Sequence, residues 1–305
     1  MKPSVFAAST LTSNEPPALS DATWRFLAEG DSWFTIGGLN LPNNANLLFA
    51  LDLCVSTAIV SCAYPGDTLH HMADAASDPN FDAMLRRPGF ARWWEAILIS
   101  AGGNDLIDAA QHRAVHGDGS AAALDERVLL TPAEAAVVNP GVTGPERYVS
   151  QPGWALLARY LLQSYAALVA RRDDGINAGR PIFVHTYHVP VVRPSGTVGS
   201  PHGWLFAAFE TYGIAPADQQ GLGDLLFNKL RTLLLSLDMD SGSAAALPQV
   251  HVFDSATLAP LTPAAANAAG VSGDWVNEIH PNRAGYAKIG AVFGPWIDTV
   301  IQRYV

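Results

Sequence analysis

The sequence predicts an α/β fold built on a five-stranded parallel sheet. Three observations carry that expectation. Five short apolar runs are rich in strand-forming residues, they end in Gly, Asp, His or Pro, and most are separated by segments of helical period. The runs are residues 24–28, 57–63, 96–100, 182–186 and 250–253. Their near-continuous apolarity suits strands covered on both faces.

The helical segments follow in order. Residues 153–172 are apolar almost all round, with Arg159 and Gln163 marking a narrow polar stripe, so this helix is expected to pack deep in the structure. Leu222, Leu225, Leu226, Leu230, Leu233, Leu234 and Leu237 repeat at helical spacing ahead of the fifth strand. The last segment puts Tyr286, Ile289, Phe293, Trp296, Val300 and Tyr304 on one face, with a kink expected at Gly294-Pro295. Two stretches exceed normal α/β connections. Residues 107–152, holding Gly117-Asp118-Gly119-Ser120 and Asn139-Pro140-Gly141, and residues 189–218, rich in Pro and Gly, read as inserted loops over the site.

A chain of 305 residues fits one such domain with insertions. Its 18 basic residues are scattered and its net charge is -10, a balance that repels a phosphate backbone and an anionic membrane surface, so no nucleic-acid partner is expected. Charged or amide residues break the apolar stretches well before the roughly 18 residues a membrane span needs. Residues 1–20 hold no apolar run of signal-peptide length, which reads as a cytoplasmic protein. Cys54 and Cys62 read as small core residues. No GxGxxG or P-loop is present, and no cofactor or metal is expected.

In open parallel sheets, active residues gather beyond the carboxyl ends of the strands. Four polar segments fall there: Gly30-Asp31-Ser32-Trp33, Tyr64-Pro65-Gly66-Asp67, Gly102-Gly103-Asn104-Asp105 and Asn277-Glu278-Ile279-His280-Pro281. Taken singly, each has an ordinary structural reading. The first and third can cap helices, Gly66 can serve a turn, and His280-Pro281 can open the last helix. Together, Ser, Gly, Asn and His in this order resemble the four-block signature of the SGNH (GDSL-like) hydrolases. The resemblance spans most of the chain. It implies a three-layer α/β/α, flavodoxin-like fold around a five-stranded parallel sheet, and a serine hydrolase acting on a small-molecule acyl ester. It also implies Ser32 as nucleophile, His280 as general base, and an oxyanion hole made by the backbone N–H of Ser32, the backbone N–H of Gly66 and the side-chain amide of Asn104. The chemistry asks for these types. A serine hydroxyl is a weak nucleophile until a base takes its proton, and the oxyanion formed by attack on a carbonyl needs fixed donors.

The departure lies in the acid. The signature usually has Asp three residues before the histidine, and this chain has Asn277. Asn277 can accept the imidazole N–H through its amide oxygen, but it brings no negative charge. Asp274, Glu278 and a backbone carbonyl are the other candidates for orienting His280. Trp33 and Phe34 read as core residues or as an acyl-pocket lining. His185-Thr186-Tyr187-His188 reads as a border of the substrate cleft. Asp108, His112 and His116 read as one helical face, either solvated or holding a metal, and His70 and His71 offer no better metal site. A carbohydrate deacetylase and a thioesterase use the same machinery, and a non-catalytic ligand-binding module is the rival from outside the enzymes.

Overall fold

A strand turns successive side chains to opposite faces of its sheet, so a run apolar at every position needs cover on both sides. The computed structural model, which describes residues 1–35, 45–74, 76, 78–197 and 201–305, supplies that cover. The chain forms β1 (Ser4–Ala7), β2 (Trp24–Gly30), α1 (Leu47–Ala50), β3 (Thr57–Ser61), α2 (Leu69–Ala73), α3 (Pro79–Arg86), β4 (Ala96–Ser100) and α4 (Gly103–Gln111). It continues through α5 (Pro132–Val138), α6 (Gln151–Asp173), β5 (Ile182–His185), α7 (Leu205–Tyr212), α8 (Pro216–Ser236), β6 (Val250–Phe253), α9 (Ser255–Leu258) and α10 (Arg283–Ile301).

The sheet is parallel throughout, in the order β1-β3-β2-β4-β5-β6. It has six strands where the sequence predicts five. The extra strand, β1, is four residues long and pairs at the edge from Ser4↔Ala58 to Ala7↔Ser61. Its residues are exposed or half-buried, so it lacks the apolar density that marks the other five. Helices form two groups, α1, α9 and α10 in contact on one side, and α2, α3, α4, α6, α7 and α8 in contact on the other. Phe26, Ala28, Ile59, Val60, Leu98, Phe183, Val184 and Phe253 lie between them, fully buried. This is the three-layer α/β/α arrangement.

Some local expectations change. α6 does not pack deep all round. Gly153, Leu157, Leu161, Tyr165, Leu168 and Arg172 make one buried stripe, while Leu156 and the residues opposite face solvent. Total apolarity overstated its burial because several of its apolar residues are small alanines on the outer face. α10 carries Pro295 in its interior and continues past it to Ile301, so Gly294-Pro295 does not end the helix. Cys62 is half-buried and packs against the core, whereas Cys54 is exposed and does not. Cys54 sits in the loop before β3, and its backbone N–H bonds Asp298. Residues 107–111 finish α4, and the rest of 107–152 carries α5, whose Thr131 and Glu134 cap its start reciprocally. Residues 189–218 contain α7 and the first turn of α8, with 198–200 outside the described residues. Among the described residues, no helix is long and apolar enough to cross a membrane.

Candidate active site

The chain leaves β2 for β3 on one side and then crosses to β4 on the other, so the order reverses at β2, and its carboxyl end opens a crevice. Ser32 stands at that end. Gly30 makes the approach possible: a Cβ there would lie 2.8 Å from both the Cβ and the carbonyl oxygen of Ser100 on β4. The Asp31 N–H then donates to that carbonyl at 3.0 Å, and the Phe34 N–H donates back to the Asp31 carbonyl, turning the chain under Ser32.

Asp31 anchors this turn from below. Its Oδ1 accepts from the Trp33 N–H at 3.0 Å and lies 2.8 Å from the Ser100 hydroxyl, while Oδ2 accepts from the Tyr187 hydroxyl at 2.5 Å. Burial raises the Asp31 carboxyl to about 6, and these hydrogen bonds hold it from rising further. The Ser100 hydroxyl also lies 2.9 Å from His185 Nε2, so its single proton serves one neighbour at a time. Trp33 is 3% exposed and stacks between His185 and His188, edge-on to Tyr187 and Tyr286. It is therefore a core residue that also lines the cleft.

Above the turn, Ser32 Oγ lies 2.6 Å from His280 Nε2, and His280 Nδ1 lies 3.0 Å from Asn277 Oδ1. The same amide oxygen accepts the backbone N–H groups of Ile279 and His280, at 3.1 and 2.9 Å. Two backbone donors can meet only an acceptor, which fixes the oxygen end of Asn277 toward the ring. His280 Nδ1 then carries the proton and donates it to Asn277, leaving the Nε2 lone pair for the Ser32 hydroxyl. The imidazole is deeply enclosed although part of the residue remains accessible. Burial lowers its pKa to about 4, and no neighbouring carboxylate raises it again. Trp204 packs edge-on against the ring at 5.5 Å.

The two carboxylates proposed from sequence as substitutes for Asn277 are engaged elsewhere. Glu278 is fully buried and accepts the backbone N–H groups of Trp204, Leu205 and Phe206 at the start of α7 and of Arg193. Asp274 pairs with Lys288 at 2.5 Å and accepts the Thr262 N–H. Sequence distance alone hid this, because the chain bends through residues 276–279 and closes on the Asn277 side chain.

Gly66 and Asn104 arrive from the strands on either side of β2. Gly66 lies in the exposed turn after β3 with φ of 82°, a left-handed conformation. That conformation, and not close packing, explains the glycine, since a Cβ there would meet nothing within 4 Å. Asn104, in the first turn of α4, donates its side-chain N–H to the Asp67 carbonyl at 2.9 Å and so ties the Gly66 turn to β4. Asn104 lines the cleft beside Ser32 together with Ile107, Tyr187, His188 and Phe227, and Gly66 lies outside that lining. Asp108, His112 and His116 do not share a helical face. α4 ends at Gln111, His112 is already extended, and His116 turns to Glu126 at 3.2 Å. His71 sits 2.5 Å from Asp67.

No family model matches the chain, and no curated protein does. Among solved structures it is similar to an extracellular lipase from Streptomyces rimosus, at 14% identity and a TM-score of 0.46, covering 91% of this chain and 99% of that one. It is similar also to phospholipase A1 from Streptomyces albidoflavus NA297, at 13% identity and a TM-score of 0.42, covering 90% and 98%. The acetylxylan esterase Axe2 from Geobacillus stearothermophilus follows at 12% identity and a TM-score of 0.37, covering 89% and 93%. Likenesses this distant leave the chemistry to the geometry of the site.

Two contributors escape a reading of motifs. Asp31 stands inside the quoted Gly-Asp-Ser segment, yet its work as the acceptor for Tyr187 and Ser100 depends on contacts 156 and 69 residues away. Trp204 reaches His280 from the second long loop, and nothing local in the sequence marks it.

Proposed function

We propose that this chain hydrolyses carboxylic esters through an acyl-enzyme on Ser32. The observation that carries the reading is the relay Ser32 Oγ to His280 Nε2 at 2.6 Å, with His280 Nδ1 held by Asn277. His280 takes the hydroxyl proton as Ser32 attacks the ester carbonyl, then returns it to the leaving alcohol as the acyl-enzyme forms. A water repeats the cycle: His280 removes its proton as the water oxygen bonds the acyl carbon, the bond from that carbon to Ser32 Oγ breaks, and His280 returns the proton to Oγ as the acid leaves. In this reading the backbone N–H groups of Ser32 and Gly66 and the Asn104 amide receive the oxyanion, with Asn104 turning from the Asp67 carbonyl. Ile107 and Phe227, in the cleft beside Ser32, suit an apolar acyl chain.

Asn277 orients the imidazole without charging it, so the machinery is a Ser-His pair steered by an amide. Labelling with a fluorophosphonate tests the reading directly. Wild type is expected to label and Ser32→Ala to stay unlabelled while folded; a folded wild type that does not label, or a labelled Ser32→Ala, sinks it. A panel of p-nitrophenyl esters, acylated sugars and acyl-CoA then separates a plain esterase from a deacetylase or thioesterase.

A further inference from the structure

At the end of β2 lies a cluster of buried carboxyl groups that ester hydrolysis does not use. Glu29 directly precedes Gly30, Asp67 directly follows Gly66, and Asp78 caps the start of α3. Each offers an oxygen, and the three oxygens lie within 4.8 Å of one another. The residues are 0%, 5% and 7% exposed.

Their hydrogen bonds leave oxygens over. Glu29 Oε1 accepts the Gly30 N–H at 2.7 Å, while Oε2 is buried with no hydrogen-bond partner. Asp67 Oδ1 accepts the Thr68 N–H and sits beside His71, while Oδ2 is likewise buried and without a partner. Asp78 Oδ1 accepts the N–H groups of Asn80 and Phe81. Among the described residues no Lys or Arg pairs with any of the three, and half-exposed His71 is the one basic neighbour. Three carboxyl groups packed together out of water are costly as anions: burial and the neighbouring Asp78 hold the Glu29 carboxyl well above its ordinary range, and a cation among the three relieves that cost.

We propose that Glu29, Asp67 and Asp78 form a binding site for one hard divalent cation, calcium foremost. The donors are all carboxylate oxygens, the choice of a hard cation over zinc or copper. Oxygens no more than 4.8 Å apart can all reach a single ion at bonds of about 2.4 Å, the length calcium takes. Such an ion ties the end of β2, which carries Ser32, to the Gly66 turn and to the start of α3. It holds structure and takes no part in the reaction. A second acidic group, Asp238, Asp240 and His251, has its atoms engaged, Asp238 by the N–H groups of Asp240 and Val252, Asp240 by Arg303, and His251 by Tyr304. It serves as the control.

The test uses the full chain, stripped with EDTA and titrated with calcium chloride and with magnesium chloride by calorimetry, alongside thermal melts. One calcium per chain and a higher Tm with calcium are expected. Glu29→Gln and Asp78→Asn are expected to weaken binding by about 100-fold or more, and Asp240→Asn to leave it unchanged. The absence of both binding heat and a Tm shift in wild type would overturn the proposal, as would binding lost in Asp240→Asn and kept in Glu29→Gln. Should the Glu29 and Asp78 variants fail to fold, the wild-type titration and the Asp240 control still decide. Binding is read without turnover, so its outcome is separate from that of the ester reading.

Discussion

Asn277→Asp changes one atom type and isolates the charge missing from the relay. The carboxylate stands 3.0 Å from His280 Nδ1, where the amide oxygen is now, and keeps the two backbone donors that orient it. Two unit charges 4 Å apart interact by about 4 kcal/mol at an effective dielectric of about 20. At about 1.4 kcal/mol per pKa unit, that favours the imidazolium by about 3 units, less what the new carboxylate loses to its own burial. Arg193, which donates to the Asn277 carbonyl at 2.7 Å, moderates that loss. The wild-type acid limb of kcat/KM is expected near pH 4, where burial places His280. The variant limb is expected between about 6 and 7, because a stabilised imidazolium holds its proton to higher pH. A base nearer the working pH should also raise kcat at pH 8 by at least about tenfold. The assay is p-nitrophenyl ester hydrolysis across the pH range in which melts show both proteins folded. Superimposed acid limbs would refute the Asn277-His280 contact as the control on the base.

Other perturbations reach the remaining parts. Asn104→Ala should lower kcat by about 10²- to 10³-fold with a smaller change in KM, and a purely KM effect would deny it an oxyanion role. Tyr187→Phe takes the donor from buried Asp31 Oδ2 and should cost about 1–3 kcal/mol in urea unfolding, with an unchanged midpoint counting against the contact. Glu278→Ala strips the acceptor from the first turn of α7 and should cost at least about 2 kcal/mol, detected as a lower Tm. If its Tm matches wild type, the cap contributes nothing.

Five strands and the gathering of Ser32, Asn104 and His280 near one end of the sheet were legible because they rest on local signals: apolar runs, the glycines that close them, and polar residues beyond. β1 was not, since an edge strand needs only one partner and little burial, and Ser4–Ala7 has no pattern to show. The burial of α6 was misread because apolar composition does not say which face meets a neighbour. Asn277 was legible as a candidate, but eliminating Asp274 and Glu278 required their partners, Lys288 and the start of α7, which no spacing rule supplies. The same holds for Glu29, Asp67 and Asp78: three carboxylates spread over 50 residues meet only once β2, β3 and α3 have assembled.

Ser32 and His280 are 248 positions apart, and the strands flanking β2 bring the Gly66 turn and Asn104 to the same end of the sheet. Contacts of this range close late in folding, because the loop entropy must be lost before the contacts form. A ribosome-bound chain therefore holds Ser32 early and gains its contact with His280 only after residue 280 has cleared the exit tunnel. Recovery of hydrolysis during refolding should track the slowest phase of structure formation, which makes turnover a direct readout of the closed Ser32-His280 contact.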